Sequence, residues 1–508
     1  MQTIISFYTT NMNYDSQHLN LSDVDYSNAT VISDGYNGIY WNDGRSEDPD
    51  IEVGENGTIY AVWWDSTAGL WGGGIGDDEI MFARYTDIDG WSNVTIISDG
   101  YDGTYWNDEF SFKPDMAIDD NGMIHVVWYD ATDGIWGTDS EIMYVNYSEA
   151  MGWSNVTIIS DGYNGVYWND QASRSPKIAI GENETIHVVW GDDTEGIWTD
   201  NYSDVDDIMN WGSIDTEIMH ASYSELKGWS NITIISDGYD GIYWNKKSSI
   251  NPDIAVDKNG IIHVVWEDYT DGIWGSDTEI MYVNYSEATG WSNVTIVSDG
   301  YDGIYWNNGG SQRPKIAIDE DGIIHAVWED YTSGVWGTDT EIMYANYSEA
   351  LGWSNITVIS DGYDGIYWNN GFSFDPDIAV ADNGTIHIVW EDYTNGVWGS
   401  DVEIMYASYS ETTGWSDITV ISDGFMGIYW NDYDSYDPHC VWYNNQLYVV
   451  WEDFTTGVWG SGWEIMFTSV SFSITQEDQE RDIPFGNLYL FIMIISIIGL
   501  TVYTNRKK

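Results

Sequence analysis

One stretch of about sixty residues is written into this chain seven times, and that repetition limits the folds open to it. The block Ile-Ser-Asp-Gly-Tyr-x-Gly-x-Tyr-Trp-Asn recurs, with small variations, with its Asp at Asp34, Asp99, Asp161, Asp237, Asp299, Asp361 and Asp423. The spacings are 65, 62, 76, 62, 62 and 62 residues. A fixed period of this size means an array in which each copy is one supersecondary unit and neighbouring copies complete the core.

The copy ending at Asp361 shows what one unit contains. Lys315 to Ile318 is a short β-rich run, Asp319 to Gly322 a turn, and Ile323 to Trp328 a second strand. A Gly- and Asp-rich loop from Glu329 to Thr340 leads to Glu341–Tyr347 as a third strand. After the turn Ser348–Gly352, Trp353 to Ile359 supplies a fourth, and no segment carries a helical period. Each copy therefore reads as a four-stranded antiparallel meander, and seven of them predict a β-propeller. The last copy lacks its fourth strand, whereas Asn28 to Ser33 is a fourth strand with nothing before it. Pairing the two, Asn28–Ser33 against Ile465–Val470, closes the ring into seven complete blades. Pro49, Pro114, Pro176, Pro252, Pro314, Pro376 and Pro438 are each read as opening a first strand, where a missing N–H does least harm.

These residues carry a resemblance. A short first strand, Ile-His-Val-Val-Trp, Glu-Ile-Met-Tyr and a Ser-x-x-x-Gly-Trp turn together resemble the Asp-box repeat of sialidase-like propellers over roughly residues 28 to 472. The turn is shortened: Ser348, Gly352 and Trp353 remain and the central Asp is absent, while Thr86-Asp87-Ile88-Asp89-Gly90-Trp91 keeps carboxylates there. In that family the Asp-box is a folding motif, so the resemblance implies architecture rather than chemistry.

Composition adds exclusions. With 84 Asp+Glu against 15 Lys+Arg the formal net charge is −69, which excludes nucleic acid as a partner because phosphate binding needs a basic surface. The single Cys440 rules out an intrachain disulfide. Residues 1–21 form an N-terminal segment without a basic, apolar export signal, 22–472 the propeller, and 473–487 a stalk. Residues 488–504 read as one transmembrane helix, and Asn505-Arg506-Lys507-Lys508 as its basic cytoplasmic end. The expected location is the cell membrane, single-pass, with the propeller outside. Asn-x-Ser/Thr acceptors at Asn28, Asn93, Asn155, Asn231, Asn293 and Asn355 agree with that side.

Candidate site residues follow from the meander. The loop from second to third strand and the loop to the next blade emerge on one face. The interblade loops carry Trp41, Trp106, Trp168, Trp244, Trp306, Trp368 and Trp430; the others carry Trp71, Trp136, Trp198, Trp274, Trp336, Trp398 and Trp459. Two readings stay open: the rings pack blade against blade, or they stack on sugar rings while Asp and Asn bond the hydroxyls, so that a glycan or another cell-surface ligand is the partner. The third copy expands one loop, Thr199 to Gly212, and its Asp204, Asp206 and Asp207 are the candidate calcium ligands. Asp330, Asp339 and Glu341 form a second acidic set that recurs between copies. The repeated His125, His187, His263, His325 and His387 are read as core hydrogen-bonding groups rather than metal ligands.

A sialidase-like hydrolase needs an arginine cluster and a nucleophile with a carboxylate partner. The propeller region has only Arg45, Arg84, Arg174 and Arg313, and copies four to six are nearly identical where an active site should break symmetry. The expectation is therefore an extracellular, membrane-anchored binding or adhesion protein without catalytic activity. A sialidase-like glycoside hydrolase and a structural repeat protein with no specific ligand are the alternatives.

Overall fold

The structure, a computed structural model, describes residues 24–27, 29–33, 44–66, 78–98, 110–131, 139–160, 171–181, 183–193, 216–236, 247–269, 277–299, 309–331, 339–361, 371–393, 401–422, 433–455 and 462–472. Its strands form seven antiparallel sheets, one per copy. In blade five the strands are Ser311–Ile318, Ile324–Asp330 and Glu341–Ser348, followed by two short pieces, Gly352–Trp353 and Thr357–Val358, which both pair with the third strand. The fourth strand is thus divided: residues 355 and 356 leave the ladder between the two pieces, while the Ser354 N–H still bonds the Asn346 carbonyl. First strands of neighbouring blades touch all round the ring and surround the central channel.

Closure occurs where the odd strands predict it. Thr30–Val31 pairs with Phe467 and Met466, and Val24–Tyr26 adds a second piece against Val470 to Phe472. Blade seven therefore takes its outer edge from the start of the chain, and no open edge is left between first and last blades.

The core lies between sheets. Trp63, Trp128, Trp190, Trp266, Trp328, Trp390 and Trp451 are all fully buried, one per blade, on the second strand. At the fourth to fifth blade junction, Val265, Ile280 and Tyr282 pack against Ile316, Ala326 and Trp328. Each blade thus completes its neighbour's core, as a repeat of this length requires.

One buried clasp repeats in every blade. The Ser of the Ile-Ser-Asp-Gly block, Ser360 in blade five, donates to Glu341 Oε2 and accepts the Ile342 N–H at 2.9 Å. Asp330 Oδ2 accepts from Ser311 Oγ at 2.8 Å. This accounts for the recurring acidic set: burial first, then Asp361 and Asp339, push the Glu341 carboxyl up to about 9, so it stays protonated at neutral pH. The repeated histidines behave as read. The Nδ1 atoms of His125, His263, His325 and His387 lie 2.8 Å from the hydroxyls of Tyr144, Tyr282, Tyr344 and Tyr406.

One expectation is corrected. First strands begin three residues before the proline, at Ser46 or Ser311 for example, and the proline sits on a β-bulge inside the strand. The reason is that the bulge leaves the proline's missing N–H outside the ladder. The residue before each proline takes a left-handed backbone, with φ between 44° and 51° at Asp48, Lys113, Ser175, Asn251, Arg313, Asp375 and Asp437. As for the membrane, no helix among the described residues is long and apolar enough to cross one, and the predicted helix 488–504 lies outside them.

Candidate functional site at the channel mouth

The seven bulges decide what faces the channel. A left-handed conformation costs a non-glycine residue on the order of 1–3 kcal/mol and persists only where the surroundings hold it. At three of the seven, the holding group is a glutamate on the second strand of the preceding blade. Glu452 Oε1 accepts the Asp48 N–H at 2.7 Å, Glu267 Oε2 that of Arg313 at 3.0 Å, and Glu329 Oε2 that of Asp375 at 3.2 Å. The turned residues form a ring of unlike chemistry: Asp48, Lys113, Ser175, Asn251, Arg313, Asp375 and Asp437 all line the channel. The three aspartates are consecutive round the ring, on blades six, seven and one.

Over that acidic arc opens a cavity of about 440 Å³. Its floor carries Arg313, Asp375, Glu391, Asp437 and Glu452, and its walls carry Tyr331, Phe374, Tyr393, Tyr436 and Trp463. The face is the one from which the second-to-third-strand and interblade connections leave. Below it, Asp50, Asp115, Asp253 and Asp377 each accept a backbone N–H from the next blade, at Met116, Ile178, Ile316 and Cys440, within 2.7–2.8 Å. That deeper ring is structural.

The carboxyls of the mouth are not equivalent. Asp375 is ion-paired with the half-exposed Arg313 guanidinium, which also lies 4.0 Å from Glu329. Glu391 is 4% exposed, and its Oε2 has no hydrogen-bond partner. Burial, then the charges of Asp375 and Asp437, push its carboxyl well above the usual range. Burial and the neighbouring Asp437 and Asp48 do the same to Glu452. Tyr331 and Tyr436 are both pushed up to about 12, chiefly by burial, and so remain proton donors.

Arg45 and Arg313 do share this cavity, but each faces carboxylates of its own: Arg45 pairs with Glu47, and Arg313 with Asp375. Arg174 pairs with Asp193 at 3.1 Å, and Arg84 with Glu149 at 2.7 Å. No arginine cluster of the sialidase kind assembles among the described residues. The fourteen tryptophans proposed from the sequence, Trp41 through Trp459, and the loop carboxylates Asp204, Asp206 and Asp207 all lie outside the described residues.

Sequence reasoning passed over Glu391, Asp437 and Glu452, yet a signal existed. After the second-strand tryptophan stand Trp64, Tyr129 and Gly191 in the first three copies and Glu267, Glu329, Glu391 and Glu452 in the last four. Comparing the copies at that position and at the residue before proline shows the symmetry broken on one arc.

No family model matches the sequence, and no curated protein matches it. Solved structures do. The PL25 ulvan lyase, from a new polysaccharide lyase family and bound to -[GlcA(1-4)Rha3S]-, superposes with a TM-score of 0.52 at 11% identity, covering 84% of this chain and 94% of its own. Polysaccharide lyase Uly1 gives 0.49 at 12%, covering 84% and 90%. The α-L-arabinanase of Penicillium chrysogenum, complexed with arabinobiose, gives 0.42 at 12%, covering 87% and 98%. At these identities the likeness shows the shared propeller fold. The expectation of a surface without catalytic activity is corrected here: the PL25 ulvan lyase, whose propeller fold this ring shares, is a polysaccharide-cleaving enzyme, and the mouth of this ring carries a symmetry-broken set of carboxyls.

Proposed function

We propose that the ring is a glycan-cleaving enzyme of the glycoside hydrolase kind, with its reacting groups at the channel mouth. The observation that carries this reading is Glu391, a nearly buried carboxyl that lines an open, aromatic-walled cavity with an unpartnered oxygen. Asp375 stands beside it, ion-paired with Arg313. Two carboxyls in such different environments divide the labour of glycoside hydrolysis. Glu391 holds the proton that passes to the leaving oxygen, and Asp375 acts as nucleophile or base. Tyr393, Tyr436 and Trp463 offer the flat surfaces and hydroxyls that a pyranose needs. Because both arginines of the cavity are already paired, a neutral sugar fits better than a sialoside.

The test is turnover by the full-length chain on a panel of neutral glycosides and polysaccharides, read as new reducing ends. Glu391→Gln and Asp375→Asn should each lower kcat by at least about a hundredfold. Turnover that survives Glu391→Gln, or none across the panel, overturns the reading.

The chain is further read as anchored in the cell membrane by residues 488–504 with the ring outside. Support comes from the apolar run ended by Arg506-Lys507-Lys508 and from the last strand, Gly462–Phe472, which runs to the face opposite the mouth. The mouth then points away from the bilayer. Labelling intact cells with a membrane-impermeant reagent checks it, and protection of the ring refutes it.

A further inference from the structure

Where blades seven and one meet, three carboxylates converge without a cation of their own. Oxygens of Asp48, Asp437 and Glu452 lie within 4.8 Å of one another. Among the described residues no lysine or arginine pairs with any of the three. Their hydrogen bonds involve no cation: Trp64 Nε1 donates to Asp48 Oδ2 at 2.8 Å, the Asp48 N–H donates to Glu452 Oε1 at 2.7 Å, and the Asp437 and Glu452 carboxyls bond each other. A second observation stands beside the cluster. Glu391, on the adjoining blade, is more than nine-tenths buried and faces the same cavity as Asp437 and Glu452, with its Oε2 unpartnered. The cavity's two arginines are engaged by other carboxylates, Arg313 with Asp375 and Arg45 with Glu47.

We propose that Asp48, Asp437 and Glu452 form a seat for a divalent cation of the calcium class at the channel mouth, with Glu391 facing it across the cavity. The donor set is all oxygen, with no sulfur or imidazole, which suits a hard cation. Two of the ligands, Asp48 and Asp437, are held in left-handed backbone conformations, so the fold holds at a cost the side-chain positions that bring the oxygens together. An ion there would tie blade seven to blade one at the one place where ring closure depends on the chain's two ends. This inference does not depend on the glycan-cleaving reading.

The experiment uses the full-length chain freed of metal by chelation, titrated with calcium by calorimetry and with terbium by luminescence at about 0.15 M NaCl to suppress diffuse association with the acidic surface. One saturable site per chain is expected. Its affinity should fall at least tenfold in Asp437→Asn and in Glu452→Gln and stay unchanged in Glu279→Gln, whose carboxyl belongs to the blade-four clasp. Binding that survives the first two substitutions, or no saturable binding at all, overturns the proposal. Should either variant fail to fold, Trp64→Phe tests the same site by a separate readout. Trp64 bonds Asp48 directly and so sensitises an ion seated there; sensitised terbium emission should drop severalfold while terbium still binds, and undiminished emission places the ion elsewhere and overturns the proposal. Turnover of a glycan in a chain that binds no calcium would sink this inference alone, and calcium binding without turnover would sink only the enzymatic one.

Discussion

Ser33→Ala probes how the ring is held shut. Ser33 is fully buried, donates to Glu464 Oε2 at 2.5 Å and accepts the Ile465 N–H at 3.0 Å. Alanine deletes one hydrogen bond worth about 1 kcal/mol and strands a buried N–H at a further 1–3 kcal/mol or so, giving roughly 3 kcal/mol in total. The same contacts surround Ser360, so Ser360→Ala should cost the same. With an unfolding entropy near 2.1 cal/mol/K per residue over a ring of about 450 residues, 3 kcal/mol lowers Tm by about 3 °C in both variants. Locally the two differ. The strand at Ser360 is held by covalent continuation into blades five and six, whereas Val24 to Ser33 continues only into blade one. Hydrogen exchange should therefore accelerate about a hundredfold at the amides of Val24–Val31 in Ser33→Ala, and much less at Gly352–Val358 in Ser360→Ala. Equal exchange in the two segments, or a Tm drop in only one variant, would refute the closure argument.

The pH dependence of stability has two limbs. Burial, with neighbouring carboxylates, raises Glu279 and Glu341 to about 9, so their stabilisation is fully present below the unfolded carboxylate range near pH 4 and is lost as pH rises through about 9. Burial lowers His187 and His263 to about 4 and His220 and His387 to about 3; their contribution is present above about pH 6.5 and is lost as pH falls toward those values. Melting scans should show a maximum between about pH 4.5 and 6.5, and a Tm still rising at pH 8 would contradict the assignment. Blade three pairs His187 with His220 at 3.2 Å where its siblings pair histidine with tyrosine. His220→Tyr should stabilise the chain by about 1 kcal/mol, more at pH 5 than at pH 7, as read by denaturant midpoints. Trp390→Ala, which empties a fully buried site between blades, should cost about 3–5 kcal/mol in the same assay, and a loss under 1 kcal/mol would mean the blades do not share a core.

The repeat by itself determined the blade number, the closure by the first strand and the structural role of the histidines. Each is a local property, carried by strand period, turn residues and the odd strand at either end. The bulge before each proline was not legible, because the left-handed turn at Arg313 or Asp375 is held by a glutamate 46 residues away, on the preceding blade. The mouth was legible only in part. Glu391 and Glu452 stand in plain view after their tryptophans, but nothing local says that they meet Asp437 and Asp48. Only the tertiary structure decided that. Equivalent registers of separate sheets converge on one axis, so small differences between near-identical copies are brought within a few ångströms of each other. The period that makes the fold easy to read in the sequence also hides those differences, because they occupy the same position in each copy and lie about sixty residues apart along the chain.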